Sequence, residues 1–331
     1  MKSDDSRSSP VSSGLLIGVI ICAGLWGSAF PGIKWVYSQL EYDAGSFPFF
    51  FAGIRFFLAG LMVLAIYGRS FCRLIFSPPD HSSFRSFPWK TIGLLTLFQT
   101  ILQYVFFYRG MAIASGVLGS ILIGFGSIWW LILSPWILKV AWPDRSQWLA
   151  IAASFTGASI AVFSPDAALS YGQPILGALL FLSAALSGAL AAISVNYLPK
   201  GFSVPVATGI SLAAGGVILI GLGWESWPAA TDMMQLDIAL VTFWLALVSA
   251  VAFSIWNSLI LRHSIHQLAQ FRFLIPLSGV IQSALLIPGE SIRLNTAIGG
   301  GIVLASIWWT SVHTPKRSSS SVTTSNQANQ K

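Results

Sequence analysis

Charge is what this chain has least of. Of its 331 residues only 9% are Asp, Glu, Lys or Arg, 55% are hydrophobic, and mean hydropathy is +0.74. A soluble chain has about a quarter of its residues charged, so a water-soluble globule is excluded. Disorder is excluded too, because it needs high charge and low hydrophobicity. Cysteine is nearly missing: Cys22 and Cys72 are the two present, too few for a disulfide framework. No carboxylate falls in the interior of an apolar run, and His81, His263, His266 and His313 all fall in expected loops or tails. The buried Asp or Glu that carries protons in many antiporters is therefore lacking. So are the His/Asp/Glu clusters, mid-span Ser–Lys pairs and paired intramembrane Asp that a membrane-embedded enzyme needs. Gly124-x-Gly126 has no preceding strand and no following GKS/T, so it is not a nucleotide loop. Rings of charge and a filter loop, the marks of a channel, and a sizeable soluble signalling domain are absent as well.

What is there is a series of apolar runs. A bilayer core about 30 Å thick requires roughly 20 apolar residues per helix. Runs of that kind lie near 14–36, 47–67, 91–108, 113–138, 147–163, 174–196, 205–223, 237–260, 272–287 and 295–312. They are apolar all round, whereas transmembrane strands alternate, so the expectation is α-helical. Only Tyr108-Arg109-Gly110 separates the third run from the fourth.

Ten spans place both termini on one side, and the basic residues say which. Fourteen of the 18, including Arg69, Arg73, Arg85, Lys90, Lys139, Arg145, Lys200, Arg262 and Arg272, fall in one set of loops and tails. Arg109 and Arg293 fall in the other, and Lys34 and Arg55 lie within spans. The bias expects cytoplasmic termini by the positive-inside rule. It also accounts for the net charge of +7 without nucleic acid, since no aromatic platform is interleaved with the basic residues. The first run extends from Gly14 to Val36 without a clean cleavage site, so it is expected to stay as a span rather than leave as a signal peptide. Residues 1–12 and 313–331 are polar and expected to be disordered cytoplasmic tails.

Internal similarity divides the runs into two sets of five. Gly53-Ile54-Arg55-Phe56-Phe57-Leu58-Ala59-Gly60 resembles Gly209-Ile210-Ser211-Leu212-Ala213-Ala214-Gly215-Gly216 at an offset of 156. Leu25-Trp26-Gly27-Ser28 resembles Leu186-Ser187-Gly188-Ala189 at 161, and Asp144 corresponds to Glu290 at 146. Because five is odd, the second copy must be inverted, an arrangement that recurs in secondary transporters.

Trp26-Gly27-Ser28-Ala29-Phe30, Ile54-Arg55-Phe56, and Pro276 followed by Gly289-Glu290 resemble the EamA-type branch of the drug/metabolite transporter superfamily over residues 14–312. The resemblance implies two EamA repeats, with helices one to four and six to nine around a central cavity, and transport of small metabolites. The chain departs from that pattern in having Trp129-Trp130 where the offset places the proline, and Asp144 where Glu is usual.

Polar groups inside a bilayer are costly and mark candidate sites. Arg55 lies about eight residues into a span of some 21, too deep to snorkel. It suits either an anionic or zwitterionic substrate or the carbonyls of a neighbouring helix. Lys34, near the outer end of the first span, either snorkels to the headgroups or contributes to the cavity. Thr96, Gln99 and Gln103 share one helical face, as do Ser183, Ser187 and Ser194. Ser249, Phe253, Trp256 and Asn257 line one side of the eighth span, and Ser278 with Gln282 marks the ninth. Each suits interhelical bonding or a shared wet cavity. Trp26 is deep enough to touch a substrate, whereas Trp35, Trp89, Trp142, Trp148, Trp224 and Trp227 sit at span ends as interfacial anchors. Gly116, Ser120 and Gly124, and Ala153, Gly157 and Ala161, form ridges for close packing. Asp144, Asp237 and Glu290 are expected to cap the helices they open.

The expectation is thus an all-α integral membrane protein of ten transmembrane helices, built as two inverted five-helix repeats over 13–164 and 172–312. Its expected function is secondary transport or export of a small organic metabolite, an amino acid or drug-like solute, by alternating access in the plasma (inner) membrane. A membrane-embedded enzyme or channel is the alternative. The substrate-cavity candidates are Arg55, Trp26, Lys34, Gln99, Gln103, Ser187, Trp256, Asn257 and Gln282. No catalytic residue, metal or cofactor is expected. The expected partners are the small-molecule substrate and the lipid bilayer, with room for a homodimer and none for nucleic acid.

Overall fold

Apolar runs this long must satisfy their backbone groups within themselves when in lipid, and among the described residues the regular elements are all helical. The structure is a computed structural model that describes residues 13–40, 45–68, 87–139, 142–162, 173–263, 268 and 274–312. The expectations about both tails, Cys72, His81, His266, His313, Arg69, Arg73, Arg85 and Arg272 lie outside the described residues. The long helices are α1 (Ser13–Gln39), α2 (Phe47–Ile66), α3 (Trp89–Ile113), α4 (Gly116–Leu138), α5 (Arg145–Val162), α6 (Pro174–Val195), α7 (Val204–Leu222), α8 (Leu236–Arg262), α9 (Leu274–Leu286) and α10 (Leu294–Val312). Seven of these, α1 to α4 and α6 to α8, are long and apolar enough to cross a membrane. The helices α9 and α10 carry shorter apolar stretches, and α5 opens on the polar Arg145-Ser146-Gln147. The chain is a multi-pass, all-helical membrane protein.

Two helices are interrupted. Residues Thr96–Leu102 of α3 are π-helical, and α4 breaks at Gly124 between Gly116–Ile123 and Phe125–Leu138. The boundary between α3 and α4 corrects the expected one. Tyr108, Arg109 and Gly110 are helical within α3, and the turn comes at Ala114 and Ser115. There Ala114 is extended at φ −141 and ψ 168, and the Ser115 hydroxyl accepts the Leu118 N–H at 3.1 Å as the cap of α4. A serine cap decides a helix start; one arginine between a tyrosine and a glycine does not end a helix.

The closest helix pair is α2 against α7, where glycines bring backbones together. A Cβ added at Gly60 would meet Ala213 Cα at 2.7 Å, and one at Gly216 would meet Phe57 Cα at 2.8 Å. Likewise Gly53 faces Ile220 Cγ1 at 2.7 Å and Gly209 faces Leu64 Cγ at 2.9 Å. The two contacts in each pair interchange when every residue shifts by the 156 positions that separate the sequence motifs. The main helix pairings behave alike: α2 packs on α7 and α5 on α10, α1 packs on α8 and α9, and α6 packs on α3 and α4. Replacing each helix by the one five places along reproduces the set.

Gly60→Val is expected to lower the thermal unfolding temperature of the detergent-purified protein, by an amount corresponding to about 1–3 kcal/mol of overpacking. Gly221→Ala in α7, where nothing lies within 4 Å of an added Cβ, is expected to be neutral or to stabilise by up to about 1 kcal/mol. Equal behaviour of the two variants contradicts the packing described.

Candidate functional site

The site is built around a charge in the middle of an apolar helix. Arg55 stands in the central part of α2 and is 1% exposed. Its Nε donates to the Leu245 carbonyl and to Ser249 Oγ, both at 3.0 Å and both on α8. Its Nη1 donates to the Tyr108 hydroxyl of α3 at 2.8 Å. The guanidinium also lies 5.0 Å from the Phe56 ring centroid and 6.0 Å from that of Tyr104, within cation–π range. All of these partners are neutral. Five N–H groups outnumber three acceptors, so donor capacity is left over.

A second polar group is oriented by one hydroxyl proton. Thr208 Oγ1 on α7 donates to the Val204 carbonyl at 2.9 Å. With that proton used, the hydroxyl can only accept from Asn257 on α8, which brings the Asn257 Nδ2 to it at 3.0 Å. The same Nδ2 reaches Gln99 at 2.8 Å, so the atom of Gln99 it meets must be the oxygen. Gln99 Nε2 is thereby left pointing elsewhere, buried and without a partner. The indole Nε1 of Trp26 on α1 is likewise buried and unpaired. Its ring meets Phe253 and Trp256 of α8 edge-on, at centroid distances of 5.4 and 5.6 Å.

These groups surround a cavity of about 140 Å³. Trp26 and Phe30 of α1, Arg55 of α2, and Gln99, Gln103, Tyr104 and Phe107 of α3 form one side. Ala184, Gly188 and Ala192 of α6, Phe253, Trp256 and Asn257 of α8, and Ile275 with Pro276 of α9 form the other. Both interrupted helices reach the wall, α3 through π-helical Gln99 and α4 through Ile123, Gly124, Gly126 and Ser127 around its break. π-Helical turns and broken membrane helices both recur at functional sites. Small residues on α6 leave the room: a Cβ at Gly188 would lie 3.2 Å from Gln103 Oε1.

The structure brings six of the sequence candidates together on this wall: Trp26, Arg55, Gln99, Gln103, Trp256 and Asn257. The other three stand apart from it. Ser187 is buried in α6 beside wall residues but is not one of them. Gln282 donates to the Gly24 carbonyl at 3.0 Å and to Ser278 Oγ at 2.8 Å, tying α9 to α1. Lys34 is half-buried on α1 and couples electrostatically to Glu290. Glu290 itself corrects an expectation. Its carboxylate caps α4, not the helix that follows it, accepting the Gly116 N–H at 2.7 Å and the Val117 N–H at 2.9 Å. The tight turn through Gly289 (φ 80) carries it across the helix gap. Asp144 does cap its own helix, α5, in a reciprocal box with Gln147 at 2.9 Å in each direction. Sequence reading missed Tyr104, Tyr108 and Thr208. Tyrosine within an apolar run and threonine near a helix start carry no distinguishing signal, and only the fold aims them at Arg55 and Asn257. Among the described residues no cluster of His, Cys, Asp or Glu could hold a metal ion.

No protein-family model matches the chain, and no curated protein matches it either. Fifteen chains of solved structure do match. One of them, described only as "Crystal structure of protein", is 14% identical with a TM-score of 0.56, covering 90% of this chain and 96% of its own. The likeness is one of fold.

Glu290→Gln is expected to lower thermal stability in lipid nanodiscs by an amount corresponding to about 1–2 kcal/mol. The amide keeps one acceptor, while α4 loses the anion at its N-terminus. An unchanged unfolding temperature contradicts the capping role.

Proposed function

We propose that this protein is a secondary transporter or exporter of a small organic solute, working by alternating access. In this reading its ten helices are all membrane spans, arranged as two inverted repeats of five, an architecture that resembles the EamA-type drug/metabolite transporters. The observation that carries the reading is the cavity itself. It lies among the apolar helices, draws its wall from both halves of the chain, and holds a guanidinium with no carboxylate beside it. Support for the repeat comes from the α2–α7 contacts, which interchange at the offset of the sequence motifs, and from helix pairings that reproduce themselves five places along. Two interrupted helices at the wall fit a site near the pseudo-two-fold. With 18 and 19 residues, α5 and α10 are about 27 and 28 Å long, near a bilayer core in length. They pack on one another, away from the cavity wall, as a repeat's fifth helices do in this architecture. The distribution of Lys and Arg supports cytoplasmic termini, and the reading takes the membrane to be the plasma (inner) membrane.

Two measurements test the reading. In a metabolite uptake and efflux screen on inverted vesicles, with and without a pH gradient, wild-type protein is expected to move at least one small solute. Arg55→Ala is expected to abolish that movement at unchanged membrane expression, with Arg55→Lys retaining part of it. Full activity in Arg55→Ala removes the cavity from the mechanism. For topology, single cysteines at positions 109 and 200 in a cysteine-free background are expected to label from opposite faces. Labelling from one face overturns the ten-span arrangement.

A further inference from the structure

The polarity of the cavity is fixed more narrowly than its size. Two buried side-chain atoms of wall residues have no partner, and both are donors. Trp26 Nε1 and Gln99 Nε2 are buried with no partner, and Arg55 has N–H groups beyond the three acceptors it meets. An indole can only donate, and so can a guanidinium. The Gln99 amide is held with its oxygen on Asn257 and its Nε2 without a partner by the proton order that starts at the Val204 carbonyl. Three acceptors next to these donors are engaged: Gln99 Oε1 by Asn257, and the Leu245 carbonyl and Ser249 Oγ by Arg55. Among the described residues no wall residue is a carboxylate.

We infer that the cavity takes a small organic monocarboxylate with a compact aromatic or apolar body and no ammonium group. The inference rests on the cavity being the solute site proposed above. A carboxylate offers the acceptor lone pairs that three buried donors lack, and it is the natural planar partner of a guanidinium. Unsatisfied buried donors are costly, so an anion that satisfies them gains affinity that a neutral solute of the same shape does not. The rest of the wall suits a ring: Trp26, Phe30, Tyr104, Phe107, Phe253 and Trp256 are aromatic. At about 140 Å³ the room is close to that of a cavity known to hold one benzene molecule. An ammonium group finds no counter-charge among the described wall residues, and Arg55 repels it. Zwitterions and amines are disfavoured for that reason.

The test is binding to the full chain in nanodiscs, read by the tryptophan fluorescence that Trp26 and Trp256 place at the site. The probes share one ring: benzoate, benzamide, phenylalanine and benzylamine. Benzoate is expected to bind saturably and about tenfold or more tighter than each of the others. Absence of saturable benzoate binding overturns the inference, as does equal or tighter binding of benzylamine or phenylalanine. Gln99→Glu keeps an oxygen for Asn257 but turns the free N–H donor into an anionic oxygen, and is expected to weaken benzoate about tenfold or more. Where that variant fails to fold, Trp26→Phe, which removes the N–H and keeps a ring, is expected to weaken benzoate several-fold and leave benzamide less affected. Unchanged benzoate affinity in a folded variant contradicts the donor assignment. Binding in nanodiscs needs no transport, so the two readings fail separately. Benzoate that binds but is never exchanged across proteoliposomes counts against transport alone. A transported amine with no benzoate binding counts against the monocarboxylate alone.

Discussion

A guanidinium 1% exposed in the middle of an apolar helix is the constraint around which this molecule is arranged. Moving such an ion out of water still costs several kcal/mol after relaxation, and hydrogen bonds to a charged group return about 1.5–3 kcal/mol each. Three bonds, to Leu245, Ser249 and Tyr108, are therefore of the order needed to offset the cost of burying this charge. They also dictate neighbours. α8 must pass close enough to present a main-chain oxygen and a hydroxyl, and α3 must present Tyr108, whose own carbonyl accepts from Tyr37 of α1 at 3.4 Å. Four helices are thus held around one charge. Because every partner is neutral, the charge is supported and not cancelled. A carboxylate in the same place would have made a structural ion pair and closed the site electrostatically.

The same logic runs through the amide groups. In water the orientation of Gln99 would be free, since solvent satisfies either end. In this interior one hydroxyl proton, given by Thr208 to Val204, decides which end of Asn257 and then which end of Gln99 faces which way. That ordering passes from α7 through α8 to α3, so a residue outside the cavity wall sets the polarity within it. Losing Thr208 Oγ1 would leave both amides able to turn.

Close packing explains how a cavity survives between these helices. Where α2 meets α7 and where α5 meets α10, glycine lets the backbones approach: a Cβ at Gly157 would stand 2.6 Å from the Gly299 carbonyl. Lipid supplies no hydrophobic drive between helices, so contact of this kind does the holding. With those pairs tight, bulky aromatic side chains on α1, α3 and α8 can face the small residues of α6 across open space without the bundle closing. The exposed apolar residues, among them Ile17 and Ile20 on α1 and Leu285 and Leu286 on α9, face outward to lipid.

How far all this could be read from the residues differs from one feature to the next. The helical class and the long apolar helices were legible because charge is scarce and lipid leaves the backbone one local solution. Arg55 was legible as a site because an arginine in mid-run has no inexpensive excuse. The motif at Gly53–Gly60 and Gly209–Gly216 was legible as similarity, but its self-facing contact was not, since sequence comparison aligns copies without saying that they touch. Glu290 misled for a related reason: spacing along the chain assigns a carboxylate to the helix it precedes, while its carboxylate caps α4. The stripe on α3 assumed 3.6 residues per turn throughout. A π-helical turn over Thr96–Leu102 winds more slowly, so the face carrying Gln99 is rotated relative to the α-helical segments on either side. Periodicity therefore named the right residues there while missing the distortion that aims them. Tyr108 is the complementary case. Its hydroxyl has no signature in an apolar run, and it becomes a site residue only because α2 places a charge opposite it.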